Sequence, residues 1–198
     1  MLRRVAIAVM VPLLVASAAL AQTPASPAPP PAAPPSTAAP NVRAGDAFGE
    51  EVMLPAKTIV FAKGSANWDS AFETLVENFK KINDALTKQG IKPAGPAVTI
   101  YTSTDDTGFE FQAGFPVGEE PKGSLPEGLA VGKSPEGRAF KFIHRGSYDA
   151  MDSTYEAITN FLDEKRLEAK DLFVEYYVTD PLMTQEDNLV IEVYVPVK

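Results

Sequence analysis

Two stretches of this chain run through the same plan, and that duplication limits the fold more than any other feature. In the first, Lys57 to Lys63 (KTIVFAK) has the composition of a strand. Gly64 ends it, and Ser65 or Asn67 caps a helix that runs to about Gln89, with Gly90 as its C-terminal stop. Trp68, Phe72, Leu75, Val76, Phe79, Ile82 and Leu86 fall on one stripe of that helix. Ala97 to Ser103 (AVTIYTS) and Phe109 to Val117 (FEFQAGFPV) then read as a hairpin. After a Gly-, Pro- and Glu-rich crossing loop from Gly118 to Gly137 the plan starts again. Arg138 to His144 (RAFKFIH) is a strand stopped by Gly146. Asp149 caps a helix to about Lys165, with Met151, Tyr155, Ile158, Phe161 and Leu162 on one face, and a closing hairpin spans Phe173 to Lys198.

The two halves match residue by residue. Gly64 corresponds to Gly146, Trp68 to Met151, Phe72 to Tyr155, Leu75 to Ile158 and Tyr101 to Tyr177, and FQAGFPV (111–117) corresponds to IEVYVPV (191–197). The offset drifts from 76 (Tyr101 to Tyr177) to 83 (Trp68 to Met151), as loop insertions produce. One strand–helix–strand–strand unit exposes too much of its sheet to stand alone. Two such units, about 48–118 and 136–198, can join about a pseudo-twofold axis. The predicted fold is α+β, tandem duplicated units forming one antiparallel sheet with two helices against it. A seam between duplicated halves is a usual place for a ligand.

The closing hairpin supplies the candidate chemistry. In its first strand Val174, Tyr176 and Val178 alternate with Glu175, Tyr177 and Thr179. In its second, Ile191, Val193, Val195 and Val197 alternate with Glu192 and Tyr194. A symmetric turn would put Tyr177 opposite Glu192 and Glu175 opposite Tyr194, giving one apolar wall and one face of two carboxylates and two phenols. Partly shielded carboxylates attract a cation, and phenol rings add cation–π contacts and flat stacking surfaces. On this reading Glu192, on the strand that closes the second repeat, is the acid best placed to meet bound positive charge. Which sheet face the helices cover stays open at this point, as does the choice between core and pocket wall for Trp68 and Tyr148.

Other chemistries find little support. The single His, His144, stands at a strand end with no second ligand nearby in sequence, which argues against metal and haem, and no nucleophile-elbow Gly pattern supports a Ser–His–Asp set. No phosphate-cradling Gly loop occurs, and no cofactor is implied. Asp105-Asp106 and Glu119-Glu120 are loop acids without calcium-loop spacing.

The N-terminus reads as an export signal. Arg3 and Arg4 precede an apolar run from Val5 to Leu20, and Ala19-Leu20-Ala21 is a small-x-small cleavage site. Residues 1–21 are expected to be removed, leaving Gln22 as the mature N-terminus in the periplasm or outside the cell. Residues 22–47, almost all Pro, Ala, Ser and Thr as far as Pro40, read as an extended tether, and 48–198 as the folded domain. Cleavage removes Arg3 and Arg4 and no acid, so the formal charge goes from -8 to -10. That argues against nucleic acid and against an anionic membrane surface, and no stable membrane insertion is expected after cleavage.

The segments EGRAFKFIHRGSYDAMDSTYEAI, VEYYVTDP and IEVYVPV resemble the GyrI-like (gyrase-inhibitor-like) domain, also the effector-binding domain of AraC-type and multidrug-responsive regulators. The resemblance runs over about Phe48 to Lys198 and implies a tandem of strand–helix–strand–strand units. It also implies a groove lined by Tyr, Trp and acidic side chains for small, often cationic and aromatic molecules. The family's Glu-x-Tyr pairs fall on Glu175 with Tyr177 and Glu192 with Tyr194. Tyr101 keeps its place in the first half, where Gln112 and Gly114 replace the other pair. Where the regulators carry a DNA-binding domain, this chain has the export signal and tether. The expectation is therefore an exported, monomeric binding module for sequestration or sensing. Its candidate ligand residues are Glu192, Glu175, Tyr177, Tyr194, Tyr101, Trp68, Gln112 and Tyr148. Some relatives are known to hydrolyse strained electrophilic compounds, so a hydrolase on the same groove is an alternative. An envelope protein-interaction module is another.

Overall fold

The eight strands of the sheet are arranged so that each half lends one strand to the other. This comes from a computed structural model, which describes residues 45, 46 and 48–198. In chain order the elements are β1 (Phe48–Leu54), β2 (Thr58–Asn67), α1 (Ala71–Lys88), β3 (Ala97–Thr104) and β4 (Gly108–Pro116). They continue with β5 (Leu129–Lys133), β6 (Gly137–Arg145), α2 (Met151–Lys165), β7 (Phe173–Tyr177) and β8 (Val190–Pro196). The sheet order is β1-β6-β8-β7-β3-β4-β2-β5, antiparallel throughout. The α+β duplication about a pseudo-twofold is therefore as expected. The expected signal peptide, and the tether as far as residue 44, lie outside the described residues.

The repeating unit has one strand more than the sequence suggests. β1 opens the first unit and β5 precedes the second, and each pairs with the opposite half, β1 on β6 and β5 on β2. The segment 118–137 is therefore not wholly a crossing loop. β5 is hard to see in sequence because it is short, contains Gly132 and is flanked by Gly128 and Gly137. Gly132 has a packing reason, since a Cβ there would lie 2.9 Å from the Phe61 ring.

The two exchanged strands force the sheet to curl. Only Pro55, Ala56 and Lys57 separate β1 from β2, yet the two strands stand six positions apart in the sheet. Six spacings of a flat sheet span about 29 Å, whereas four residue steps reach at most about 14 Å. The same holds for Ser134, Pro135 and Glu136 between β5 and β6. The sheet must wrap around one of its faces, and the two connectors meet there. Ser134 N–H donates to the Lys57 carbonyl at 2.8 Å, and Lys57 N–H donates to Ser134 Oγ at 2.9 Å. The wrapped face is filled by Leu54, Ile59, Phe61, Val98, Ile100, Ala139, Val174 and Tyr176, all nearly inaccessible although no helix covers them.

Both helices pack on the other face. α1 contributes Leu75, Phe79, Ile82 and Leu86, and α2 contributes Met151, Ile158 and Leu162. They meet Phe111, Phe142, Tyr177, Ile191, Val193 and Val195 of the sheet. Three local expectations are corrected. Gly64 does not end the first strand, because β2 continues to Asn67. Gly64 instead makes room for the Phe111 ring, which a Cβ would meet at 2.6 Å. Neither Ser65 nor Asn67 caps α1 with its side chain, since a 3-10 turn, Trp68–Ser70, intervenes. In the second half the cap is Ser147 rather than Asp149: its hydroxyl accepts from Asp149 N–H at the start of a 3-10 turn, Tyr148–Ala150. Gly146, with φ of 117°, does end β6.

His144 ties β6 to α2. Its Nε2 lies 3.0 Å from the Ser147 carbonyl, which can only accept, so Nε2 carries the hydrogen and Nδ1 accepts from Thr154 Oγ1 at 2.8 Å. Burial holds its pKa below the ordinary value, in keeping with this neutral tautomer.

Candidate functional site: a carboxylate held by phenols

The hairpin register differs from the symmetric turn, and this decides where the acids go. Val174 pairs with Tyr194, Glu175 with Val193, Tyr176 with Glu192 and Tyr177 with Ile191. The expected Glu/Tyr face is therefore split across the sheet. Glu175 and Tyr177 share the helix-covered face with Ile191 and Val193. Glu192 and Tyr194 share the wrapped face with Tyr176 and Val174. Alternation within each strand is as read; what failed is the one-residue phase between the two strands, which inverts every side chain.

Glu175 sits at the centre of the molecule. In the β3–β7 seam its partner is Thr99, the middle of the five pairs from Ala97↔Tyr177 to Tyr101↔Phe173. The pseudo-twofold axis passes through this pair. A site here is shared by both halves and occurs once per duplicated domain, and Tyr101 and Tyr177 reach it from equivalent places.

The Glu175 carboxylate is wholly inaccessible and is surrounded by four of the six tyrosines of the chain. Tyr155 donates to Oε1 at 2.7 Å. Tyr101 and Tyr177 donate to Oε2 at 2.8 and 2.9 Å. Tyr148 lies 3.4 Å from Oε2 but 2.5 Å from the Tyr101 hydroxyl. Each phenol has one hydrogen, so the shorter contacts define a relay from Tyr148 to Tyr101 to Glu175. Burying a lone carboxylate costs several kcal/mol, and each hydrogen bond to a charged group returns about 1.5–3 kcal/mol. The phenols thus hold in the protein a charge that would otherwise be expelled. Burial pushes the Glu175 carboxyl above its usual value, and the phenol hydrogen bonds pull the other way. Burial beside this negative charge pushes Tyr101, Tyr148, Tyr155 and Tyr177 well above the usual phenol range, so all four keep their protons.

Three of these phenols form the wall of an open cleft of about 790 Å³. Tyr101, Tyr148 and Tyr155 separate it from Glu175, and Trp68, Met151 and Phe173 complete its apolar lining. Phe72 stacks on Tyr148 from α1, with centroids 5.2 Å apart. Trp68 is half exposed, and its indole N–H donates to the Asp105 carbonyl at 2.8 Å, which fixes the ring at the rim. The rim carries Asp69, Asp105, Asp106, Asp149 and Asp152, and no Lys or Arg lines the cleft. Two helical starts also face it, each with about half a positive charge. Five carboxylates outweigh them, so the cleft remains strongly negative.

Of the residues expected at the site, the structure brings together Glu175, Tyr177, Tyr101, Tyr148 and Trp68. Glu192, Tyr194 and Gln112 lie on the wrapped face, away from the cleft. There Tyr194 donates to Glu192 at 2.8 Å, Gln112 pairs with Ile100, and the Lys57 ammonium lies 4.5 Å from the Tyr176 ring centroid. Tyr155 joins the site from α2, although the sequence pattern marks it only as a helix-face residue. Its signal was the seven-residue step from Tyr148, two helical turns along the same face. The loop acids Asp105 and Asp106 were likewise not assigned to a site. Glu192→Gln is accordingly expected to leave affinity for an aromatic cation within about twofold of the parent in a fluorescence titration, since the sheet separates it from the cleft. Among the described residues no group of three or more His, Cys, Asp or Glu side chains could hold a metal ion.

A family model described as GyrI-like small molecule binding domain matches residues 50–198. The chain belongs to this family. Solved structures share the fold. The EcmrR C-terminal domain matches with a TM-score of 0.63 at 15% identity, covering 77% of this chain and 98% of that one. SAV2435 bound to tetraphenylphosphonium matches with a TM-score of 0.53 at 15% identity, covering 76% and 94%. EcmrR in its DNA complex matches with a TM-score of 0.64 at 16% identity; the match covers 76% of this chain and 57% of EcmrR. No curated protein matches the chain in sequence. The duplicated sheet is thus the GyrI-like fold, and the chain carries a small-molecule-binding domain.

Proposed function

We propose that this GyrI-like domain binds an aromatic or amphipathic organic cation in the cleft beside Glu175, and that it does so outside the cytoplasm, as a sequestering or sensing protein. The observation that carries the reading is the buried, phenol-held carboxylate behind an aromatic, acid-rimmed cleft. The cation faces Tyr101, Tyr148 and Tyr155, whose π faces attract positive charge, and feels Glu175 through a medium of low dielectric. Trp68 offers a stacking plane at the rim. The volume suits a drug-sized molecule, for which pockets run to about 300–1,000 Å³. SAV2435, a relative in fold, was solved with the organic cation tetraphenylphosphonium, which supports the ligand class. Export rests on residues 1–21, with Arg3 and Arg4 before an apolar run and a small-x-small site.

A matched pair of dyes tests the binding reading. N-methylacridinium and N-methylacridone share a three-ring body but only the first is charged. The cation is expected to bind at least about tenfold more tightly, the worth of one cation–π and charge contact in a partly dry site. Equal affinity for the two, or no affinity for either, would remove the proposal.

A further inference from the structure

We infer that Glu186, in the loop between β7 and β8, is a positioning residue for the cation site, acting through Tyr148. The inference rests on the proposed binding of a cation beside Glu175. Glu186 lies at the start of a 3-10 turn, Glu186–Asn188, about 38 residues along the chain from Tyr148 and on a different element. Its Oε1 accepts from the Ser147 hydroxyl at 2.8 Å and from the Tyr148 backbone N–H at 3.1 Å. The same loop reaches the turn a second time, where Gly146 N–H donates to the Leu189 carbonyl at 3.0 Å.

These bonds act on one point, the start of the Tyr148–Ala150 turn. Ser147 is its cap, and its hydroxyl, while donating to Glu186, accepts from Asp149 N–H at 3.3 Å. The Ser147 carbonyl receives the His144 ring N–H. Glu186 therefore satisfies a backbone donor that has no partner within its own turn, and it orients the capping hydroxyl. The backbone of Tyr148 is pinned at one end, and its hydroxyl sits at the other end of the side chain, 2.5 Å from Tyr101 in the relay to Glu175. A shift of a few tenths of an ångström at the backbone would break that relay while leaving the ring stacked on Phe72. Glu186 has no place in the cleft lining, so its effect on a ligand is indirect.

The test is a double-mutant cycle read with N-methylacridinium and N-methylacridone. Glu186→Ala is expected to weaken the cation about fivefold and to leave the neutral dye unchanged, because the relay and not the stacking plane is lost. Glu186→Gln, which keeps the accepting oxygen, should restore cation affinity to within about twofold of the parent. In a Tyr148→Phe background, where the relay hydroxyl is absent, Glu186→Ala should have no further effect. A full additional loss in that background, or an equal loss for both dyes, would overturn the role of Glu186 while leaving the cation site standing. Absence of cation binding by the parent protein would overturn the site itself and Glu186 with it.

Discussion

Glu175→Gln should weaken binding of N-methylacridinium at neutral pH by about 2 kcal/mol, or roughly 30-fold, the worth of a charged partner in a dry site. The neutral N-methylacridone should bind nearly as before, because the Tyr and Trp planes remain. The same substitution should not destabilise the protein at pH 7. Burial raises the folded-state pKa of Glu175 above that of the unfolded chain. A group raised in this way favours the folded state most below its unfolded pKa, about 4.3, and that contribution is lost as pH climbs through the folded pKa. Wild-type stability should therefore carry a component that falls as pH rises from about 4.3, and the Gln variant should lack it. Cation affinity should move oppositely, rising with pH as Glu175 ionises, and this rise should be absent in the variant. Thermal melts and dye titrations across pH read both. An affinity loss equal for both dyes would mean that Glu175 only braces the core.

Phe79→Ala is expected to cost about 3–5 kcal/mol of folding stability by urea or thermal unfolding. Phe79 is inaccessible in the middle of α1 and meets Phe115 and Tyr177 edge-on, with ring centroids 5.8 and 5.2 Å away. Removing it opens a cavity beneath the helix that dense side chains cannot refill. It also takes away the neighbour that holds Tyr177 against Glu175, so cation affinity should fall in the variant even where it remains folded. A cost below about 1 kcal/mol would show that α1 is not packed on the sheet as described.

The repeat made much of this architecture legible. The matches of Tyr101 with Tyr177 and of 111–117 with 191–197 follow the sheet, because inward positions of paired strands have to repeat when a folded unit is duplicated. β1 and β5 leave no such mark in the sequence, for the opposite reason. They are edge strands, mostly exposed or half-buried and without a clean period-two pattern, and their partners lie in the other half of the chain. The stripe of Leu75, Phe79, Ile82 and Leu86 placed α1 correctly on the core, since helical period alone decides which residues share a face.

The acids were harder. Alternation shows that Glu175 and Tyr177 share a face, and that Glu192 and Tyr194 share a face. It does not show that the two faces coincide. The β7–β8 connection is long and contains its own 3-10 turn, so its register is not that of a tight hairpin, and a one-residue change of phase sends Glu192 to the wrapped face. Within this hairpin the phenols bind the acids of their own strand, Tyr177 to Glu175 and Tyr194 to Glu192, and none reaches across the β7–β8 pair. Curling of the sheet was also invisible in any single segment. It follows only from pairing order combined with the short reach of Pro55–Lys57 and Ser134–Glu136.

The central claim is that a cation lies in the cleft between Trp68 and Tyr148 with its charge directed at Glu175. A crystal structure of the protein soaked with tetraphenylphosphonium tests it most directly. The expected result is the phosphonium centre behind the Asp-bearing rim, with phenyl rings against Tyr101, Tyr148 and Tyr155. Density on the wrapped face beside Glu192 and Tyr194, with the cleft unoccupied, would contradict it.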